Sequence, residues 1–361
     1  YTGTSAGVDA LLVSTDANGV VVWSKQYGTA GNEEWRGVAT DASGNAYVVG
    51  YTDNAFAGQT SAGGDTDAVI ARIKPDGSID WLRQFGTLGA DYLLAVTVDS
   101  AGNAYAAGWT SGTFSGQTQS GTSDAIVVKY RADGTQEWLT QFGSPKEDSL
   151  SGIALLGGAL YVAGWATDAV AAGQQPQGTR DAALYKVQPG SGVVWARQFG
   201  SNLSDEATAV AVDANNIYVA GLTYGTLPGQ TSIGRIDAMV AAYDQSGAQR
   251  WVRQFGTGYD DELRAAAAAT DGSGVYVGGT VGDGFSGAKW LGKNDALYSK
   301  LRSDGQQDWA SQFGTADDDK ILGLVSPTYG VLYGVGTTGE ALNAQARLGG
   351  VDGFLGRYSV P

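Results

Sequence analysis

One stretch constrains this chain more than any other. Asp67 to Gly86 reads DAVIARIKPDGSIDWLRQFG, and near-copies begin at Asp9, Asp124, Asp181, Asp237 and Asp295. The first half alone returns at Asp352 as DGFLGRYSV. A Trp closes each full copy, at Trp23, Trp81, Trp138, Trp195, Trp251 and Trp309, in steps of 58, 57, 57, 56 and 58 residues. Every one of these Trp residues stands 14 positions after the Asp that opens its copy. So regular a period means one supersecondary unit used repeatedly, each copy burying its apolar face against the next. All 361 residues are therefore read as one repeat array, a single domain spanning 1–361.

Each unit contains four strand-like segments. In the second unit these are LLAVTVD (Leu93–Asp99), AYAAGWT (Ala104–Thr110), DAIVVKY (Asp124–Tyr130) and EWLTQFG (Glu137–Gly143). Gly-Asn and Asp-Gly pairs between short β-rich runs are hairpin signals, because positive φ is cheap only for Gly, Asn and Asp. Helical periodicity is nowhere sustained. Leu263–Ala269 (LRAAAAA) has helix-forming composition, but its place in the repeat predicts a strand. Four antiparallel strands per repeat of about 57 residues predict an all-β chain, a β-propeller of four-stranded blades.

The phase of each blade follows from side-chain size. Segments GVAT, AVTV, GIAL, AVAV, AAAA and LGLV are small and apolar, which suits inner strands converging on an axis. Labelling them A gives six A, six B, seven C and six D segments. Six blades are favoured and seven remain open. The last blade has no D strand of its own, so Val20–Gly28 (VVVWSKQYG) is expected to supply one and close the ring, leaving no free sheet edge. That leaves Asp9–Ser14 as a surplus C-like strand.

The unit resembles the bacterial β-propeller repeat (SBBP) family. The pattern VDxxGNxYVAGxT…DAxxxKYxxxGxxxW is carried here by VTVDSAGNAYAAGWT and DAIVVKYRADGTQEW. The resemblance covers essentially the whole chain, and it implies a scaffold in secreted or surface-associated bacterial proteins. The QFGT tails and GQT loops have no assignment within that pattern.

Composition narrows the function classes. A net charge of −15 repels phosphate backbones and anionic lipid, so nucleic acid is not an expected partner. Cys and His are both absent, which removes thiolate chemistry, the usual neutral-pH base and the commonest transition-metal ligand. No apolar run approaches the ~18 residues of a transmembrane segment. The chain opens at Tyr1 rather than Met, which fits a processed secreted protein or a trimmed chain; a secreted or cell-surface origin is expected.

Strand phase also sorts the loops. A–B and C–D connections are tight hairpins on one face, and the longer D–A and B–C connections share the other, where binding is expected. Ten residues after each repeat Trp stands a carboxylate: Glu33, Asp91, Asp148, Asp205, Asp261 and Asp319. With Asp317 and Asp318 these are the candidate metal ligands. Such acids, together with backbone carbonyls, suit Ca²⁺, a hard cation that favours oxygen. The competing reading makes them caps for loop N–H groups, and recurrence in every blade is what a structural role predicts. No DxDxDG-type loop is present.

Candidate ligand-binding residues are the rim aromatics Trp35 (in the first D–A loop), Tyr51, Trp109, Trp165 and Trp290. They could stack on sugars, or pack the loops against the blades. GQT recurs in the B–C loops at 58–60, 116–118 and 229–231, with GQQ at 173–175, GAKW at 287–290 and NAQA at 343–346. A ring of equivalent acids singles out neither a general acid nor a nucleophile. The arginines Arg36, Arg180, Arg235, Arg264 and Arg347 do not converge by spacing. The expected function is a non-enzymatic scaffold with a protein or glycan partner on the long-loop face. Alternatives are a lectin-like propeller and a Ca²⁺-dependent hydrolase or lyase.

Overall fold

A computed structural model describes residues 7–328, 330–342 and 349–360. Nearly every described element is a strand, and the chain is a six-bladed β-propeller of antiparallel sheets. An N-terminal hairpin, β1 (Ala10–Thr15) and β2 (Val21–Tyr27), precedes the blades. The first blade is β3 (Glu33–Thr40), β4 (Ala46–Thr52), β5 (Asp67–Ile73) and β6 (Ile79–Phe85). The second is β7 (Asp91–Val98), β8 (Ala104–Thr110), β9 (Asp124–Tyr130) and β10 (Gln136–Phe142). The third is β11 (Asp148–Leu156), β12 (Ala159–Ala166), β13 (Asp181–Gln188) and β14 (Gly192–Phe199).

The fourth comprises β15 (Asp205–Val212), β16 (Ile217–Thr223), β17 (Asp237–Tyr243) and β18 (Gln249–Phe255). The fifth comprises β19 (Glu262–Ala268), β20 (Gly274–Val281), β21 (Asp295–Arg302) and β22 (Gln307–Phe313). The sixth has three strands, β23 (Asp319–Thr328), β24 (Val331–Thr338) and β25 (Asp352–Ser359). Strand type follows the predicted phase throughout, including the alanine-rich β19, where ladder pairing to β20 overrides helix propensity.

One expectation is corrected. β2 does not pair with the C-terminal copy as a closing strand; it pairs with β1, from Ala10↔Tyr27 to Thr15↔Val21. A tight turn explains this. Asp16 Oδ1 accepts hydrogen bonds from the N–H groups of Asn18 and Val20 at 2.8 and 2.9 Å, so the hairpin closes locally at little entropic cost. β25 in turn pairs with β24, Asp352 opposite Thr338.

The chain divides into two compact units. One runs through Val162 and takes in Ala166–Gly173 and Lys186–Val194. The other holds Ala163–Trp165, Gln174–Tyr185 and the chain from Trp195 on. In the first unit, A strands of neighbouring blades lie together, β3 against β7 and β7 against β11; in the second, β15 meets β19 and β19 meets β23. B and C strands carry the buried apolar mass between blades. Between the first and second blades it includes Tyr47, Val49, Ile70, Leu93, Ile126 and Val128, all fully buried. Burying each such side chain is worth about 1.5–3 kcal/mol.

The repeat Trp adds a polar clasp at the outer edge. Trp81 Nε1 donates to the Ala132 carbonyl in the next C–D turn at 3.0 Å, and Trp251 Nε1 donates to Ser303 O at 2.8 Å. This explains why Trp rather than Phe marks the period: the indole fills the wedge and its N–H reaches the neighbouring turn.

Candidate functional site

The two series of repeated acids come together in pairs. The Asp opening each C strand and the carboxylate opening the next A strand converge on the Gly of the QFG tail. A Cβ built on Gly86 would lie 2.7 Å from Asp67 Oδ1 and 2.6 Å from Asp91 Oδ2. On Gly143 it would meet Asp148 Oδ2 at 2.6 Å and Asp124 Oδ1 at 3.0 Å. Gly28, Gly200, Gly256 and Gly314 hold the same place beside Asp9/Glu33, Asp181/Asp205, Asp237/Asp261 and Asp295/Asp319. Glycine is required because no side chain fits between two buried carboxylates.

In every pair but Asp9/Glu33, both members work as caps; Asp9 Oδ1 is buried without a hydrogen-bond partner. Asp148 Oδ2 accepts from Ser144 N–H at 2.6 Å and from Ser144 Oγ at 2.9 Å. Thr87, Ser201, Thr257 and Thr315 serve Asp91, Asp205, Asp261 and Asp319 in the same way, and Glu33 accepts from Thr29 N–H at 2.7 Å. Asp124 accepts from the N–H groups of Ser120 and Gly121 in its B–C loop at 2.8 and 2.9 Å. The carboxylates thereby satisfy loop N–H groups that lie outside any ladder.

The same geometry explains the two motifs without a family assignment. Gln141 Nε2 donates to Asp124 Oδ2 and to Gly112 O, both at 2.9 Å, while its Oε1 accepts from Phe114 N–H at 3.0 Å. Its own N–H donates to Oε1 of Gln117, the GQT glutamine, at 2.9 Å. Gln84/Gln59, Gln198/Gln174 and Gln254/Gln230 repeat the arrangement, so QFGT and GQT are two halves of one loop clamp. Sequence reasoning missed these glutamines. Their signal was available: Gln–Gln spacing of 24–25 residues, constant wherever GQT or GQQ occurs. The GAKW loop breaks it, and NAQA lies outside the described residues.

Burial of the A-strand carboxylates raises their pKa. Desolvation pushes Asp148 up to about 7, offset in part by the Ser144 hydrogen bonds and reinforced by the charges of Asp124 and Asp168. Asp261 is pushed to about 6, and Asp91 and Asp205 are raised, each by burial first. Among the described residues no ion pair involves these paired carboxylates. Nor do Asp317, Asp318 and Asp319 form one cluster. Asp319 caps Thr315, Asp317 pairs with Lys293 at 2.8 Å, and Asp318 accepts from Asn294. Among the described residues no group of three or more His, Cys, Asp or Glu is placed to hold a metal ion.

The aromatic candidates separate. Trp35 is not in a loop. It lies inside β3, stacked on Phe56 (centroids 6.4 Å apart) with Tyr27 edge-on at 6.2 Å, part of the packing between hairpin and first blade. The four-residue displacement from the expected loop arises because β3 starts directly at Glu33. Tyr51 and Trp109 are brought together through Tyr92: Tyr51–Tyr92 centroids are 4.6 Å apart, and Tyr92–Trp109 stack at 4.5 Å. Arg36 lies over Tyr51 at 5.8 Å and pairs with Glu34 at 2.7 Å. Trp165 stands apart, covered by the Arg180 guanidinium at 3.8 Å, and Arg180 pairs with Glu206. Trp290 is alone in its loop and 49% exposed. Arg235 and Arg264 likewise pair with Asp260 and Glu262, and Arg347 lies outside the described residues.

A β-bulge places these residues. The A–B register slips between Trp35 and Gly37, Leu93 and Ala95, Ala207 and Ala209, Leu263 and Ala265, and Ile321 and Gly323. Just before each slip the A strand presents a residue opposite the penultimate B-strand position: Glu34↔Tyr51, Tyr92↔Trp109, Glu206↔Leu222, Glu262↔Thr280 and Lys320↔Thr337. The chemistry of this pair changes from blade to blade, while the carboxylate beside it does not.

These features define a β-propeller assembled from near-identical capped blades. Residues 22–57 and 80–114 match the Beta-propeller repeat family (SBBP), so the resemblance drawn from the sequence holds there, and residues 44–80 match a β-propeller domain of unknown function (DUF5122). A curated relative, "Regulatory protein FlaEY" of Caulobacter vibrioides, is 24% identical over 89% of this chain, which spans 38% of that protein's length. Among solved structures, Drosophila Plexin A in complex with Semaphorin 1b is 11% identical with a TM-score of 0.49, covering 91% of this chain and 80% of that one. The PQQ-bound aldose sugar dehydrogenase of Streptomyces coelicolor is also 11% identical, with a TM-score of 0.43 over 90% and 93%. Likeness at this level says nothing of ligand or activity.

Proposed function

We propose that this propeller is a non-enzymatic binding scaffold that takes a protein partner on the end of its blades bearing the D–A and B–C loops. One observation carries the reading: a constant capped frame holds a variable pair of residues in each blade. The frame is the Asp–Gly–Asp unit with its glutamine clamp. The variable residues are an aromatic stack with a cation at one end (Arg36, Tyr51, Tyr92, Trp109), a Trp–Arg–Glu group (Trp165, Arg180, Glu206) and acid–arginine pairs elsewhere. Aromatics and arginines at a rigid rim are the residue types that anchor protein interfaces.

A catalytic centre receives less support: the buried Oδ1 atoms of Asp67, Asp148, Asp205, Asp295 and Asp319 have no hydrogen-bond partner, but the same arrangement recurs from blade to blade and singles out no acid or nucleophile. Sugar stacking is also less favoured: Trp109 has Tyr92 on one face and Trp165 has Arg180. A secreted or cell-surface location suits the acidic composition, with a net charge of −15. The reading is tested by pairing a glycan array with affinity capture of surface proteins. Wild type and a Trp109→Ala/Arg36→Glu variant of unchanged melting temperature are compared. Loss of defined protein partners by the variant, with no glycan bound, supports the scaffold. Glycan binding abolished by Trp109→Ala would replace it with the lectin.

A further inference from the structure

Each full blade ends on an edge strand, and most blades close that edge with side chains. In the fourth blade the outward Gln254 N–H donates to Oε1 of the loop glutamine Gln230 at 3.2 Å, and the outward carbonyl of Val252 accepts from Arg253 Nη1 at 2.8 Å. The first and third blades repeat both caps, with Gln59 and Arg83 and with Gln174 and Arg197. The second keeps the glutamine half, Gln117 on Gln141, with Thr140 in the arginine's place. A bare strand edge templates pairing with another chain, and these caps prevent it.

The fifth blade has neither cap. Its loop makes the same turn, with Phe285 N–H donating to Gln312 Oε1 at 2.7 Å and Ala288 N–H to Phe285 O at 2.9 Å, but Ala288 stands where the glutamine belongs. Ser311 stands where the arginine belongs. Gln312 lies opposite Leu297 and Ala310 opposite Ser299, the ladder positions of Gln254↔Met239 and Val252↔Ala241, so the backbone of Ala310 and Gln312 faces outward in the same way. Among the described residues no side chain caps either group. The loop beside them differs too. Two residues past the clamp position the other loops carry Ser61, Gln119, Pro176 and Ser232; here stands Trp290, 49% exposed, between an exposed Lys289 and Leu291.

We propose that the β22 edge takes an extended segment of a partner protein as an added strand of this blade. Outward N–H and C=O groups at alternate residues of a strand are matched by another peptide backbone, which supplies affinity with little sequence preference. The loop supplies the preference. Trp290 and Leu291 suit a large apolar side chain. Among the described residues Lys289 forms no ion pair, whereas Lys293 of the same loop is held by Asp317 at 2.8 Å, so the complementary charge on the segment is a carboxylate. This site is separate from the rim residues of the proposed function and does not depend on them.

The test pans a phage-displayed library of random peptides, about a dozen residues long, on the wild-type chain and on Ala288→Gln/Ser311→Arg, which restores both caps of the fourth blade. A melting temperature unchanged or raised checks that the variant is folded. Peptides enriched on wild type should carry an acid and a large apolar residue, and should bind the capped variant at least about tenfold more weakly. N-methylation of every second amide of such a peptide should abolish binding in one phase and spare it in the other, because only alternate N–H groups face the edge. The proposal is overturned if no peptide separates wild type from the capped variant, or if binding ignores N-methylation in both phases. Binding that survives the caps but is lost in Trp290→Ala would overturn it in favour of an apolar loop site. A light-scattering mass that rises with concentration for wild type and not for the capped variant would overturn it in favour of pairing between two copies.

Discussion

Asp148 should make this protein lose stability as the pH rises through the weakly acidic range. Its carboxyl is fully buried beneath the Ser144 turn, and burial pushes its pKa from 3.8 to about 7. Between those values the unfolded chain has released the proton and the folded chain still holds it. The folded state then binds more protons, so stability falls with increasing pH across this window and levels off above it. At 1.36 kcal/mol per pKa unit the full loss is about 4 kcal/mol, or roughly 5 °C in melting temperature for a chain of this length. Asp148→Asn keeps the size and can still accept from Ser144 N–H, but it does not titrate. At about pH 4 variant and wild type should melt within about 1–2 °C of each other, and at about pH 8 the variant should be more stable by up to the full amount. The assay is thermal unfolding by circular dichroism at half-unit pH steps. Parallel curves across the window would show that the buried carboxyl ionises as an ordinary Asp, and the reasoning would fail.

The glutamine clamp should matter almost as much: Gln141→Ala strands the Phe114 N–H and removes two bonds, at a cost of about 3 kcal/mol in urea unfolding, and a cost below about 1 kcal/mol would show that water replaces the clamp. Trp251→Phe should cost about 1 kcal/mol more than Trp309→Phe, because the Trp251 N–H reaches Ser303 O while Trp309 Nε1 is buried without a partner; equal costs would remove the clasp from the account of the repeat. EDTA, then added Ca²⁺, should leave the melting temperature unchanged within about 1 °C, since metal bound only to the native state would raise it by mass action. A chelator-sensitive transition restored by Ca²⁺ would return the acids to metal binding.

Much of the site was legible in one dimension only. Glu33, Asp91, Asp148, Asp205, Asp261 and Asp319 could be picked out by period, and their role as caps could be weighed against Ca²⁺ from recurrence alone. Their convergence with the C-strand Asp series on a glycine could not, because the partners come from different blades. The QFGT and GQT motifs stayed unassigned because, although the Gln141 partners Asp124, Gly112, Phe114 and Gln117 lie in its own blade, they are 17 to 29 residues away in sequence. Trp35 was misplaced into a loop because a strand that begins with two acids looks like one.

By itself the sequence determined the repeat, the strand order A to D, the surplus C strand and the override of helix propensity at Leu263–Ala269. All of these are properties of a local pattern copied at a fixed period, and local hydrogen-bonding geometry is enough to set them. Only the tertiary structure decided what closes on what. β2 went to β1, the acids went to loop N–H groups, and Tyr92 slid between Tyr51 and Trp109. Those outcomes depend on which side chains meet across blades, where packing and desolvation between distant segments outweigh any preference a residue carries alone.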